Sequence, residues 1–172
     1  EHEKIIRAIT VAPEMPGACE LAERLASRGI HVQAGHTDAN YAGMKRAAEH
    51  GFSGITHMFN AMADIEHRKP GPAAFGMLDD RICVEAICDF VHLAEPVVRL
   101  IFKAKGAAGI AMVSDCGMVS GMPEGEYTQN NHYILVKDNR CYSASGGISG
   151  SYVFLDSGVR CVAGAGLSLI HI

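Results

Sequence analysis

Short apolar runs recur along the chain, each closed by a polar residue and followed by a segment of helical periodicity. Residues 5–11 are apolar and β-branched apart from Arg7 and end in Ala12-Pro13-Glu14, which predicts a buried strand stopped by a breaker. Residues 18–28 carry Leu21 and Leu25 at helical spacing and stop at Gly29, a glycine helix terminus. Residues 30–34 form the next predicted strand and deliver His36; residues 41–50 predict a helix closed by Gly51, and residues 52–56 a strand that delivers His57. Residues 64–80 contain His67-Arg68-Lys69-Pro70-Gly71-Pro72 and predict mostly loop. The rhythm resumes with a strand over 82–91 delivering His92, a helix over 96–105 ended by Gly106, and a strand over 109–114 delivering Asp115.

A strand, a polar residue at its C-terminal end and a helix, repeated, predicts an α/β fold with a parallel sheet, at about the spacing a βα barrel requires. Such folds place their chemistry at the C-terminal edge of the strands. After Gly121 the rhythm breaks. Residues 133–136 and 140–143, separated by Lys137-Asp138-Asn139, predict a β-hairpin outside the α/β array. The loop Ser145-Gly146-Gly147-Ile148-Ser149-Gly150-Ser151 follows, then a helix from about 152 to 162. The domain division expected is 1–121 for the barrel part, 122–151 for the hairpin and loop, and 152–172 for a terminal helix.

Composition narrows the class. At 172 residues and 48% hydrophobic, the chain can bury a real core in one domain. No apolar run approaches the roughly 20 residues of a spanning helix, so a membrane is not expected as a partner. A net charge of −4 with scattered Lys and Arg forms no basic stripe, which argues against nucleic acid. The six cysteines form no Cys-x-x-Cys pair, and reduced thiols in a cytoplasmic protein are the simplest account. Without an initiator Met, and with a strand beginning at once, the chain is expected to start inside a larger protein.

Histidine binds divalent metal as neutral imidazole, and a catalytic site commonly has three protein ligands with one position left for water. His36 and His57, 21 residues apart, supply two. Either alone reads more simply as a hydrogen-bonded strand-end histidine, but His92 and Asp115 occupy the same place in later units, and that repetition favours chemistry. Asp115 can take a proton from an activated water and return it to a leaving amine; its structural alternative is a turn residue. His92 can polarise a carbonyl, or be a solvent-facing strand end. Arg68 and Lys69 suit an anion such as a phosphate ester, with Arg binding as a fork, although adjacent basic residues on a loop are usually only solvated. The 145–151 loop can bring backbone amides onto a ligand, or be a flexible connection.

The motifs Val11-Ala12-Pro13-Glu14, Ala34-Gly35-His36-Thr37-Asp38-Ala39, Thr56-His57-Met58-Phe59-Asn60-Ala61-Met62, Arg68-Lys69-Pro70-Gly71, Asp89-Phe90-Val91-His92, Ser114-Asp115 and Gly147-Ile148-Ser149-Gly150-Ser151 stand in order over almost the whole chain. Together they resemble the N-acetylglucosamine-6-phosphate deacetylase family of the amidohydrolase superfamily. The resemblance implies a (β/α)8 TIM-type barrel, of which strands four to eight are present, with part of a small β-sandwich domain. It implies hydrolysis of N-acetyl-D-glucosamine 6-phosphate to D-glucosamine 6-phosphate and acetate, with a divalent metal ion, zinc first and iron, manganese or cobalt as alternatives. It makes His36 and His57 metal ligands and Asp115 the catalytic base and then acid. Asn60, Ala61, Arg68, Asp89, Phe90, Val91, His92, Ile148, Ser149 and Gly150 are the implied substrate-binding residues: His92 at the acetamide carbonyl, Arg68 at the phosphate, Ile148 to Gly150 in a loop over the sugar. A homodimer is implied for the full-length protein, with Arg68 reaching the neighbouring subunit's site in some members.

Departures from the family pattern matter as well. The family's third metal ligand, a glutamate in a Leu-Glu-Gly-Pro motif one strand earlier, has no counterpart here, and Glu14 stands in the setting of the next strand. Phe90 stands where many members have Gly. Two alternatives follow: another amidohydrolase acting on a different amide, or a fragment that is weak or inactive as it stands, because two protein ligands make a poor catalytic metal site.

Overall fold

In the computed structural model, which describes residues 5–129 and 131–167, strands β1 (Ala8–Val11), β2 (His31–Ala34), β3 (Phe52–Ile55), β4 (Cys83–Ala86) and β5 (Ile110–Met112) appear where the apolar runs predict them. They lie in chain order in one five-stranded sheet. Pairing is parallel from β1 to β4, with Ala8 opposite His31, Ala34 opposite Ile55 and Gly54 opposite Cys83. Helices α1 (Ala18–Ala26), α2 (Tyr41–Glu49), α3 (Gly71–Leu78) and α4 (Glu95–Lys105) fill the successive connections, since parallel neighbours need a crossover rather than a tight turn. The opening Glu1-His2-Glu3-Lys4 and the closing Leu169-Ile170-His171-Ile172 lie outside the described residues. No helix among the described residues is long and apolar enough to cross a membrane.

The chain forms two units, one running to Ala86 and resuming over Lys103–Ala111, the other made of Ile87–Phe102 and the chain from Met112 onward. In the first, side chains alternate across the pleat. Val32 and Ala34 of β2 and Val84 and Ala86 of β4 are fully buried on one face. Met44 and Ala47 of α2, Ala18 and Ala22 of α1 and Phe75 of α3 are buried with them. Phe75 meets Tyr41 edge to face at 5.3 Å, and burying side chains of this size contributes about 1.5–3 kcal/mol each. Helix α3 lies close on β3 because Gly76 has no side chain: a Cβ there would stand 2.4 Å from Ile55 Cδ1.

The opposite face of the sheet is polar. Gln33 Nε2 donates to Glu85 Oε1 at 2.8 Å, the Thr56 hydroxyl donates to Gln33 Oε1 at 3.3 Å, and the Thr10 and Thr56 hydroxyls meet at 2.7 Å. One hydrogen-bonded chain therefore crosses from β1 to β4, tying together strands whose other face is held by apolar packing.

Two expectations are refined here. The stretch 64–80, expected to be mostly loop, also holds a helix, α3 over Gly71–Leu78. Pro70 and Pro72 mark its start rather than a break, since the first turn of a helix has no intrahelical use for their missing N–H groups. Gly71 to Gly76 are all buried, and a helix apolar on every side shows no amphipathic period to read. The strand expected over 82–91 ends at Ala86. Asp89 ends any continuation by capping its own turn, its Oδ1 accepting from the backbone N–H groups of Val91 and His92, both at 2.8 Å.

The second unit holds an antiparallel sheet of β6 (Gly125–Gln129), β7 (His132–Lys137) and β8 (Arg140–Ser143), in the order β6-β7-β8. The predicted hairpin is β7–β8, turned through Asp138 and Asn139 with φ of 50° and 56°. Both signs suit the primed turn whose twist matches paired strands. Val119, Ile134, Val136 and Cys141 form its core, with Tyr127 and Tyr152 against them. Helix α5 (Leu155–Gly164) closes the described chain and buries Gly158 and Val162. Five sequential strands are what stands of the expected barrel, and the expected sandwich portion is a single three-stranded sheet.

Candidate functional site

His36 and His57 each follow a strand within two residues and each adopts a left-handed backbone, φ 50° and 31°. Left-handed non-glycine residues cost strain and gather at functional sites. The approach to His36 requires Gly35: a Cβ there would stand 2.7 Å from Thr10 Cγ2 and 2.9 Å from Thr56 Cβ, so only glycine lets the chain pass between those threonines. The two rings meet edge to face with centroids 4.8 Å apart, and their Nε2 atoms are 3.0 Å apart. His57 is buried at 7% exposure while His36 is exposed.

The loop carrying His57 is held from below. Met58 N–H donates to the Glu85 carbonyl at 2.8 Å, and His57 N–H approaches Glu85 Oε2 at 3.4 Å. Asn60 spends its side-chain amide on the carbonyls of His57 and Met58, at 3.1 and 3.3 Å. Phe59 and Ala61 are also left-handed, φ 74° and 48°, so three of five consecutive residues are strained. The loop after His36 is held by Glu14, whose carboxylate accepts from the Thr37 hydroxyl at 2.5 Å and the Asp38 N–H at 2.9 Å. Burial pushes the Glu14 carboxyl up, but these donors, Thr37 foremost, outweigh it and leave it below the usual carboxylate range.

Whether these imidazoles fit a metal is a question of donor geometry. Two nitrogens bound to one tetrahedral zinc at about 2.0–2.1 Å stand about 3.3 Å apart, close to the Nε2 separation here. An N–H···N hydrogen bond between the rings has a similar length. His57 Nδ1 is buried without a hydrogen-bond partner among the described residues, so nothing on that side fixes the tautomer. Among the described residues no three His, Cys, Asp or Glu side chains form a metal-holding group. The pair has the spacing of two ligands on one ion, and among the described residues no third stands with them.

Arg68 is exposed at the tip of a turn closed by reciprocal backbone hydrogen bonds between Glu66 and Lys69, 3.1 and 3.0 Å. Lys69 pairs with Glu66 at 3.8 Å, leaving the guanidinium of Arg68 as the projecting charge of that turn.

In the second unit, Asp89 and His92 form a buried pair, Oδ2 to Nδ1 2.8 Å, with side chains 4% and 6% exposed. Burial raises the Asp89 carboxyl, and the His92 ring with the N–H groups of His92 and Val91 lowers it further than burial lifts it. Phe90 between them is left-handed at φ 61°, which accounts for a position where many members of the resembled family carry Gly. Val91 contributes its backbone N–H to the same turn.

Asp115 is exposed with φ 54°, and its carbonyl accepts from Ser151 N–H at 3.0 Å. Gly150, φ 73°, lies against that carbonyl so closely that a Cβ would stand 2.9 Å from it. The 145–151 loop is pinned rather than free: Ser143 N–H donates to the Gly147 carbonyl, Ser149 N–H to the Cys141 carbonyl, and Ile148 bridges to Tyr142. Ile148 itself is exposed at 41%.

Two residues with structural weight at these sites escaped the sequence reading of roles. Glu85 carried a signal, a lone carboxylate inside an apolar run. Ser151, 1% exposed, carried only its place at the end of a Gly-rich motif.

A parallel α/β sheet with strained polar residues just past its strand ends defines the class, an α/β protein of the kind that carries its ligand-binding groups at the C-terminal edge of the strands. Curated homologues and structural neighbours of the chain include N-acetylglucosamine-6-phosphate deacetylases, the family the motifs resemble, and the chain matches part of their length. It is 36% identical to the enzyme of that name from Lysinibacillus sphaericus over 90% of this chain and 40% of the relative. It is 34% identical to that from Vibrio furnissii, over 88% and 38%. Among solved structures, the Thermotoga maritima deacetylase aligns with TM-score 0.89 at 32% identity, over 96% of this chain and 46% of that one. A Mycobacterium smegmatis mutant in complex with N-acetyl-D-glucosamine-6-phosphate aligns with TM-score 0.89 at 34%, over 94% and 43%. No family model matches the chain. The chain thus spans about 40% of the curated relatives it matches.

Proposed function

We propose that the protein containing this chain hydrolyses the acetamide of N-acetyl-D-glucosamine 6-phosphate, giving D-glucosamine 6-phosphate and acetate, as a homodimer built on a closed (β/α)8 barrel in the cytoplasm. The observation that carries this reading is the Nε2 pair of His36 and His57, 3.0 Å apart, in a chain 30–36% identical to deacetylases of 6-phosphorylated amino sugars. His36 and His57 would hold a divalent metal, zinc first, together with a third ligand. When bound, such an ion polarises an amide carbonyl and makes a water acidic enough to attack it near neutral pH.

The chain's own residues do the rest. Asp115 takes the proton of the attacking water and returns it to the amine as the C–N bond breaks, releasing acetate and the free amino sugar. His92 stabilises the negative charge that grows on the carbonyl oxygen as an imidazolium, its Nδ1–H on Asp89 and its Nε2–H toward the substrate. Asn60 and Ala61 bound the sugar, Arg68 pairs with the phosphate, and Ile148, Ser149 and Gly150 cover the ring. Asp89, Phe90 and Val91 shape the turn that presents His92.

The test is acetate release by the full-length, metal-loaded protein from N-acetylglucosamine 6-phosphate, with the unphosphorylated sugar as comparison. Hydrolysis of the unphosphorylated sugar alone, or of an unrelated amide alone, overturns the reading. One observation favours a second substrate: a relative 30% identical over 155 residues is an N-acetylgalactosamine-6-phosphate deacetylase. The galacto epimer therefore belongs in the same assay, and preference for it would move the assignment to that sugar without changing the reaction.

A further inference from the structure

The Asp89 carboxylate has its acceptor directions filled from within the protein. Oδ1 accepts from the Val91 and His92 backbone N–H groups and Oδ2 from His92 Nδ1 at 2.8 Å, while the Ser151 hydroxyl, 3.2 Å from Oδ2, shares its one proton between that oxygen and the Val153 carbonyl at 2.9 Å. A carboxylate so occupied is unsuited to binding a sugar hydroxyl. An ionised carboxylate only accepts hydrogen bonds, so the proton between Asp89 and His92 sits on Nδ1 of the imidazole. Nε2 is then the ring atom left for a ligand. Ser151 connects this pair to its surroundings: its N–H holds the Asp115 carbonyl, its hydroxyl touches Asp89, and its carbonyl accepts from Ser120. The neighbouring Cys88 thiol, pushed up to about 12 by burial and then by the Asp89 charge, stays neutral and brings no competing anion.

We propose that Asp89 and Ser151 are positioning residues for His92, Asp89 fixing the imidazole as the Nδ1–H tautomer and Ser151 locking that arrangement to Asp115 and to the 147–151 loop. The consequence for catalysis rests on the role of His92 in the proposed deacetylation; the tautomer does not. A third group that orients an acid or base is a recurring device of catalytic sites.

Asp89→Asn is the decisive variant. The two backbone N–H groups demand an oxygen at Oδ1, so the new amide must turn its NH2 toward His92 Nδ1, which can then only accept, and the proton moves to Nε2. Nitrogen-15 spectra of histidine-labelled chain, taken above the imidazole titration, should give the Nδ1–H tautomer for His92 in the parent and Nε2–H in the variant. In the full-length enzyme the same change removes the acceptor that an imidazolium needs at Nδ1, and should lower kcat about 100-fold or more with KM little altered.

Ser151→Ala keeps the experiment informative should Asp89→Asn fail to fold. It should leave the tautomer in place and speed exchange of the Nδ1 proton with water by about 10-fold, a single hydrogen bond's worth. An Nε2–H tautomer in the parent, an unchanged tautomer in Asp89→Asn, or unchanged exchange in Ser151→Ala each overturns the proposal. If the tautomer switches while the full-length protein leaves the phosphorylated sugar intact, the positioning stands and the deacetylase reading falls; acetate release with no switch gives the reverse.

Discussion

Glu85 stands beneath His57: its carbonyl holds the N–H of Met58 while its carboxylate accepts from Gln33 and reaches toward the N–H of His57. A strained imidazole loop is thereby fixed to the strand beside it. Replacing Glu85 by Gln puts an NH2 where one of two donors needs an acceptor, and an unsatisfied half-buried donor costs about 1–3 kcal/mol. Urea unfolding of Glu85→Gln should show that loss, and the Gln33→Ala, Glu85→Ala double-mutant cycle a coupling of about 1 kcal/mol. Simple additivity would mean the two side chains act independently.

The paired imidazoles predict that metal binding and metal-dependent activity separate with chain length. The 172-residue chain, with His36 and His57 but no third ligand among its described residues, should bind zinc weakly and release no measurable acetate. Full-length protein should retain metal through dialysis and lose it in His57→Ala, by direct elemental measurement. Tight stoichiometric zinc on the fragment would show that its own residues complete the site.

Phe90 predicts a stability order that runs against side-chain size. At φ 61° alanine keeps the left-handed strain and glycine does not. Phe90→Gly should therefore be more stable than Phe90→Ala by about 1 kcal/mol, despite glycine's greater unfolded-state entropy. Equal midpoints in denaturant would mean that the backbone relaxes once the ring is gone.

Most of the fold was legible because β-branched runs, glycine stops and strand-end polar residues all declare themselves in order, as β1 to β5 and α1, α2 and α4 do. Helix α3 was hidden since Gly71 to Gly76 are buried on all sides and two prolines imitate a loop. Strand β6 was hidden because Gly125 and Glu126 at its start are not strand formers and its partner β7 makes it a strand. Residue types and spacing single out His36, His57 and Asp115 as candidates, whereas Glu85 and Ser151 act through distance and burial that no local pattern encodes. Asp89 is the intermediate case: its motif marks it as important, and three internal N–H donors, one of them the His92 ring, tie it to His92.

The Asp89 carboxyl also sets a pH dependence of stability. Burial raises it, the His92 ring and the turn N–H groups lower it more, and its folded value lies below the ordinary one. A depressed carboxyl contributes stability that is complete above its unfolded value, about 3.9, and is lost as pH falls through the folded value. Asp89→Asn should be less stable than the parent at pH 6, and the gap should close on acidification below pH about 3.9. A gap that stays constant down to acid unfolding would assign the loss to geometry rather than charge.

Arg68 separates substrate recognition from fold. Exposed at the tip of the Glu66 to Lys69 turn, with Lys69 already beside Glu66, it holds nothing of the described structure together. Arg68→Ala should leave the denaturation midpoint within about 0.5 kcal/mol of the parent. In the full-length enzyme it should raise KM for the 6-phosphorylated sugar by about 10- to 100-fold, the worth of a charge-assisted hydrogen bond or two, with kcat nearly unchanged because the phosphate is bound equally before and during the reaction. For the unphosphorylated sugar neither constant should move. A fall in kcat with KM constant would place Arg68 in the chemical step, and no effect on either substrate would remove the phosphate from its neighbourhood.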